Sequence, residues 1–322
     1  MKASLFSVSY AGLWGQASLR LPEFIEHAGR LGLSSVMLMG KRPHLSCLDM
    51  AGERLDAVRA SLRSNGVGCD IVAAYTNLAP GSAGEVPLVE MQIAYIEALA
   101  RIGAELGATV VRIFTAYEAE NQDLQTSWQR VVAAVREMCD RVAPLGMTIA
   151  IQNHHDLGLH TDALLELLGE IDRPNCKLGF DAWSPALRGE NLYEAARKAA
   201  PHTAITTNAD YMRVPRYRYR PEFVNFERQP VDWVRAVTFG TGFIDYQGFF
   251  GGLRDGGFDG FAVYEMCSPV SGGGRRENLD AKVQAYLDWM QQHGFVSAPQ
   301  IDSVTSGART SLADGTAQPV MA

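Results

Sequence analysis

Ile149-Ala150-Ile151-Gln152-Asn153-His154-His155-Asp156 is a short apolar run that ends abruptly in amides, imidazoles and an acid. Three other stretches have the same form: Leu178-Gly179-Phe180-Asp181, Ala204-Ile205-Thr206-Thr207-Asn208-Ala209-Asp210 and Ala262-Val263-Tyr264-Glu265. A brief apolar run bounded by turn residues reads as a buried strand. Parallel strands that all end in polar groups set those groups around one rim. In a (β/α)8 TIM barrel that rim carries the chemistry.

Outward from these runs, strand-like and helix-like segments alternate along the chain. Strands are expected near 3–9, 34–39, 69–75, 109–115, 147–154, 176–181, 203–208 and 260–266. Residues 87–107 repeat apolar groups at helical spacing (Leu88, Met91, Ile96, Leu99, Leu106), as do residues 122–145 (Trp128, Val131, Val135, Met138, Val142). Gly32, Gly66, Gly107, Gly146 and Gly257 stand where a helix would stop before the next strand, and glycine accepts the left-handed cap conformation. Such alternation predicts an α/β fold, a (β/α)8 TIM barrel over 1–294, rather than an open sheet. No glycine fingerprint follows a strand, so a dinucleotide-binding fold is disfavoured. Two regions break the repeat. Residues 211–245 are too long for an ordinary loop and rich in Tyr, Phe, Trp and Arg, which predicts an ordered lid or subunit contact inserted after strand seven. Residues 295–322 are dominated by small and polar groups from 297 onward and read as a disordered tail.

Composition narrows the function. The chain has 322 residues and a net charge of -7. That charge argues against a nucleic-acid partner. No apolar stretch is long enough to span a bilayer. Five scattered cysteines read as reduced thiols, not as a disulfide framework or zinc site. With an N-terminus that enters a strand directly, they point to a cytoplasmic protein.

The ordered set of Gln152-Asn153-His154, Gly179-Phe180-Asp181, the stretch from Gly240 to Tyr246, and Gly257-Phe258-Asp259-Gly260 followed by Tyr264-Glu265 resembles the xylose-isomerase-like TIM-barrel superfamily, the sugar phosphate isomerase/epimerase family. The resemblance covers 1–294. It implies an isomerase or epimerase of carbohydrate metabolism. In ketose epimerases of that family a divalent ion, usually manganese, is held by Glu, Asp, His and Glu from strands five to eight. Asp181 and Glu265 match two of those positions. Gln152 stands at the strand-five Glu, Thr207 falls where the His would be, and Arg213 matches an Arg six residues beyond it. Family members are often dimers or tetramers, which implies a homo-oligomer.

The residues themselves support part of that picture. Asp181 and Glu265 offer hard oxygen donors suited to Mn2+ or Mg2+. Gln152 can ligate only through its carbonyl. His154, two residues on, would share its side of an extended strand and is the recruit for a metal ligand or base. His155 would point away. The expected metal set is therefore Gln152, Asp181, Glu265 and His154. The catalytic candidates are Glu265, His154 and Gln152, although an amide cannot exchange a proton as a carboxylate does. Arg213, Trp14, Trp183 and Asn208 are the substrate-binding candidates. Lys41-Arg42-Pro43-His44 is a second rim segment suited to an anion, and Tyr75, Phe114 and Tyr117 could add to an apolar wall. A structural alternative pairs the two acids with Arg112 or Lys177. Isomerisation or epimerisation beside a carbonyl is the first reading, and a lyase of the same barrel the second, since one base suffices for elimination. A non-catalytic binding subunit is the third.

Overall fold

The computed structural model describes residues 1–79, 85–118 and 122–296. The first seven barrel strands are β1 (Lys2–Phe6), β2 (Ser35–Met39), β3 (Gly68–Ala73), β4 (Val110–Ile113), β5 (Thr148–Gln152), β6 (Cys176–Gly179) and β7 (Thr203–Asn208). Two short antiparallel ribbons follow. In one, β8 (Tyr211–Val214) pairs with β11 (Trp233–Ala236); in the other, β9 (Tyr217–Arg220) pairs with β10 (Asn225–Arg228). The eighth barrel strand is β12 (Phe261–Tyr264), which lies parallel between β7 and β1 and closes the ring. Closure leaves no sheet edge, and both faces of each strand are covered, as parallel sheets require.

The helices are α1 (Leu21–Arg30), α2 (Glu53–Asn65), α3 (Leu88–Glu105), α4 (Leu124–Val142), α5 (Thr161–Ile171), α6 (Trp183–Arg188), α7 (Leu192–Ala199), α8 (Tyr246–Asp255) and α9 (Arg276–Gln292). Their ends follow local chemistry. Asp123 caps α4 by accepting from the Thr126 amide at 2.8 Å, and Gly66 closes α2 at φ 63°. Within α3 the buried face is Ile93, Ile96, Leu99, Ala100 and Ile102. Met91, expected on that face, is exposed. Phe295 is buried against Phe250 and Trp289, so packing continues past 294. The expected tail from 297 lies outside the described residues.

Side-chain alternation along the strands positions the site. Val110, Ala150, Ile205 and Val263 face the barrel interior, with Met37 and Ile71. Two residues further along each strand, Arg112, Gln152, Thr207 and Glu265 therefore also face inward, one layer nearer the carboxyl rim. Intervening residues face the helices. Tyr264, for example, stacks on Tyr286 at 4.7 Å between ring centroids.

α8 packs closely on α7. A Cβ added at Gly252 would stand 2.2 Å from the Tyr193 carbonyl oxygen. Gly252→Ala should gain about 1 kcal/mol of helix propensity and lose more, because two backbones must separate where overpacking costs ~1–3 kcal/mol or more. A lower midpoint of thermal unfolding checks this, and an unchanged or higher midpoint would contradict it.

Candidate active site at the carboxyl rim

The ends of β5 and β6 are tied together by their side chains. Asn153 Nδ2 donates to the Asp181 carbonyl at 3.0 Å, and the Asp181 amide donates to Asn153 Oδ1 at 2.7 Å. Ser184 Oγ donates to the Asn153 carbonyl at 2.7 Å. This clamp fixes Asp181, which sits just past β6. Its Oδ1 accepts from the amides of Trp183 and Ser184 at 3.1 and 3.3 Å. Its Oδ2 accepts from Gln152 Nε2 at 2.9 Å, and the same nitrogen donates to Thr207 Oγ1 at 2.8 Å. The Thr207 hydroxyl is thus satisfied by the same Gln152 amide that holds Asp181.

Two cavities share Gln152, His154, Glu265 and Cys267. The smaller, about 240 Å3, is also lined by Asp181, Trp183 and Thr207. The larger, about 670 Å3, is also lined by Phe6, Trp14, Tyr75 and Arg112. Burial pushes the Asp181 carboxyl up to about 7, with the nearby Glu265 charge adding to the rise against the Gln152 hydrogen bond. Glu265 is also pushed up by burial, while Arg112 and the Cys267 thiol pull it back. Two desolvated carboxylates thus share a cavity wall and repel each other.

The expected metal set is only partly assembled. Among the described residues no three His, Cys, Asp or Glu side chains gather at metal-holding distance. His154 Nδ1 already accepts from the His155 amide at 2.8 Å. The remaining donors do suit a hard cation: two repelling carboxylates, and a Gln152 Oε1 that is buried without any hydrogen-bond partner. Oxygen donors carrying two negative charges match Mg2+ or Mn2+.

Other candidates fall differently from expectation. His155 does not point away from His154. β5 ends at Gln152, the chain turns, and His155 adopts φ 69°, so strand alternation no longer applies. The two imidazoles meet at Nδ1–Nδ1 2.8 Å, and His155 stacks on Tyr117 with centroids 3.8 Å apart. Burial pushes both imidazoles down to about 4, so each is neutral at pH 7. Asn208 is turned from the lumen. Its Nδ2 donates to the Val263 carbonyl at 3.1 Å and bridges β7 to β12, a structural position. Arg213 lies on the exposed β8 ribbon with its guanidinium over Phe243 at 4.5 Å, and lines neither cavity. Trp14 and Trp183 do reach the cavities, one each. Of the second rim segment, Arg42 pairs with Asp49 at 2.7 Å and His44 is buried against Ser7 Oγ at 2.9 Å. Lys41 is exposed and lines neither cavity, but its Nζ stands 3.8 Å from the Tyr75 ring centroid. Asp181 and Glu265 form no ion pair with Arg112 or Lys177 among the described residues.

Arg112, Cys267, Tyr211 and Val234 also line the cavities, although no motif in the sequence singles them out as site residues. The parity that selects Gln152 also selects Arg112, two residues past the inward Val110, and Cys267 follows Glu265 at the same spacing.

No curated protein sequence matches this chain. Solved structures share its fold at low identity. The D-psicose 3-epimerase of Clostridium cellulolyticum H10 is 16% identical with a TM-score of 0.70, covering 91% of this chain and 99% of its own. The probable 3-DHS dehydratase AsbF of Bacillus anthracis is 18% identical with a TM-score of 0.68, covering 89% and 99%. A xylose isomerase domain protein of Planctomyces limnophilus is 19% identical with a TM-score of 0.65, covering 90% and 95%. The family model of the xylose isomerase-like TIM barrel matches residues 25–293. With a closed barrel of parallel strands and a polar rim of this construction, the chain belongs to the xylose isomerase-like TIM-barrel family.

Proposed function

We propose that the protein is an isomerase or epimerase that moves a proton at the carbon beside the carbonyl of a sugar, keto-sugar or sugar acid. The observation that carries this reading is the inward Glu265 carboxylate. It is raised above the usual glutamate range and shares a cavity wall with neutral His154. A carboxylate with a raised pKa is the stronger base for a carbon acid, and base and substrate meet where water is largely excluded.

In this account Glu265 takes the proton from carbon. Neutral His154 keeps its proton on Nε2, since Nδ1 accepts the His155 amide, and donates a hydrogen bond to a substrate oxygen, while the protonated Glu265 returns the proton to carbon. Trp183 and Trp14 supply apolar walls to the sugar. Asp181, Glu265 and the Gln152 carbonyl would hold a divalent ion, Mn2+ or Mg2+. When bound, it would polarise the carbonyl and stabilise the developing oxyanion. Gln152 keeps Asp181 oriented through its N–H and takes no proton.

A second reading, a lyase, is favoured by one specific observation. Gln152 removes a carboxylate from the rim, and elimination needs only one strong base. Solved structures of this fold include both kinds, the D-psicose 3-epimerase and the probable dehydratase already named. A panel of keto-sugars and sugar acids incubated with the Mn2+-supplemented protein separates them. A product of unchanged mass and altered configuration supports the first reading. Fragments or loss of water support the second, and no conversion of any member contradicts both.

A further inference from the structure

Arg112 brings a positive charge into the barrel interior at 1% exposure. Its Nε and Nη1 are buried and find no acceptor, and the hydroxyl of Tyr75 is in the same condition. The guanidinium carbon lies 4.1 Å from the Phe114 ring centroid, 5.2 Å from Tyr75 and 5.5 Å from Phe6. Rings on several sides offset part of the desolvation, but they accept no conventional hydrogen bonds. Lys41 Nζ stands over the same Tyr75 ring. All of these residues except Lys41 line the 670 Å3 cavity beside Glu265.

A buried charge with unsatisfied donors is costly unless something pairs with it. Here the unsatisfied groups are nitrogen donors and a phenol, on two residues that line one cavity, so the missing partner is an anion. Glu265 limits its charge. A dianionic phosphate would sit against that carboxylate, whereas a single planar carboxylate matches the guanidinium fork with less repulsion. The aromatic walls suit the carbon skeleton behind it.

We propose that Arg112 and Tyr75, with Lys41 above them, bind the carboxylate of the substrate, so that the protein takes a sugar acid in preference to a neutral sugar. This rests on the proton-transfer reading given above and narrows its substrate class.

Calorimetric titration of the intact, Mn2+-supplemented protein with D-glucuronate, D-gluconate, D-glucose and D-glucose 6-phosphate tests it without requiring turnover. The acids should bind at least ~10-fold tighter than glucose, the usual worth of a charged hydrogen bond. Arg112→Gln should erase the preference. Arg112→Lys should keep part of it, as a point charge without the planar fork, and Tyr75→Phe should weaken acid binding several-fold. Should Arg112→Gln fail to fold, the Lys and Phe variants carry the test. Glucose binding as tightly as the acids, preference for the phosphate, no binding of either acid, or a folded Arg112→Gln protein that keeps the preference would each overturn the proposal. An acid preference without any proton exchange would contradict only the proton-transfer reading. Equal exchange on neutral and acidic sugars would contradict only this one.

Discussion

Glu265→Gln should lower turnover by ~10²–10⁴-fold, the range that one positioned acid–base group contributes, while leaving the fold intact. The substitution preserves volume and position. It removes the only carboxylate, among the described residues, that lines both cavities, and an amide can neither take nor return the proton. Binding should change less than rate, because Arg112, Trp14 and Trp183 remain. The pH profile offers a second check. Burial raises the Glu265 carboxyl above its ordinary value despite the Arg112 charge. The basic form therefore appears only at higher pH than for a solvent-exposed glutamate, and the acid limb of kcat/KM should lie above that ordinary range. Steady-state rates of the Gln variant near those of the unmodified protein would remove Glu265 from the chemistry.

Asp181→Asn should weaken Mn2+ binding by ~100-fold or more, at least as much as losing a group that only supports a ligand, and should stop catalysis with it. The variant should not unfold. An Asn oxygen can still accept the Trp183 and Ser184 amides that Oδ1 accepts now. The metal-free protein should even gain stability at alkaline pH, as the sign of the shift requires. Asp181 titrates from 3.8 in an unfolded chain and is raised to about 7 in the fold. The folded state therefore holds its proton longer, and stability falls as pH rises from 3.8 through about 7. Asn does not titrate and escapes that loss. Metal titration and unfolding at pH 8 on the same two proteins give both readouts. Unchanged Mn2+ affinity would mean that Asp181 is not a ligand.

Much of the barrel was legible because its strands are short apolar runs closed by polar groups, and its helices stop at glycines with φ above zero such as Gly66 and Gly146. Inside the site, parity was the readable signal. Val263 faces inward and so does Glu265; Ala150 faces inward and so does Gln152. The same rule excludes Asn208, adjacent to the inward Thr207, and includes Arg112. From sequence alone Arg112 reads as a partner for the acids, since a charged residue inside a strand suggests pairing more readily than ligand binding. Two errors came from carrying a rule past its element. Alternation was extended to His155 after β5 had ended. A spacing of six from Thr207 runs through Asp210 into the β8–β11 ribbon, which turns Tyr211 and Val234 to the smaller cavity and leaves Arg213 exposed. Tertiary folding of β8 to β11 has no short-range signature that a spacing could capture.

In the proposed reaction Glu265, just past β12, exchanges a proton with carbon beside a carbonyl in this cavity. Deuterium wash-in followed by NMR, with keto-sugars and sugar acids in D2O, tests it most directly. Label is expected at the carbon next to the carbonyl with the unmodified protein, and none above background with Glu265→Gln. Conversion without any label from solvent, or equal labelling by the two proteins, would contradict it.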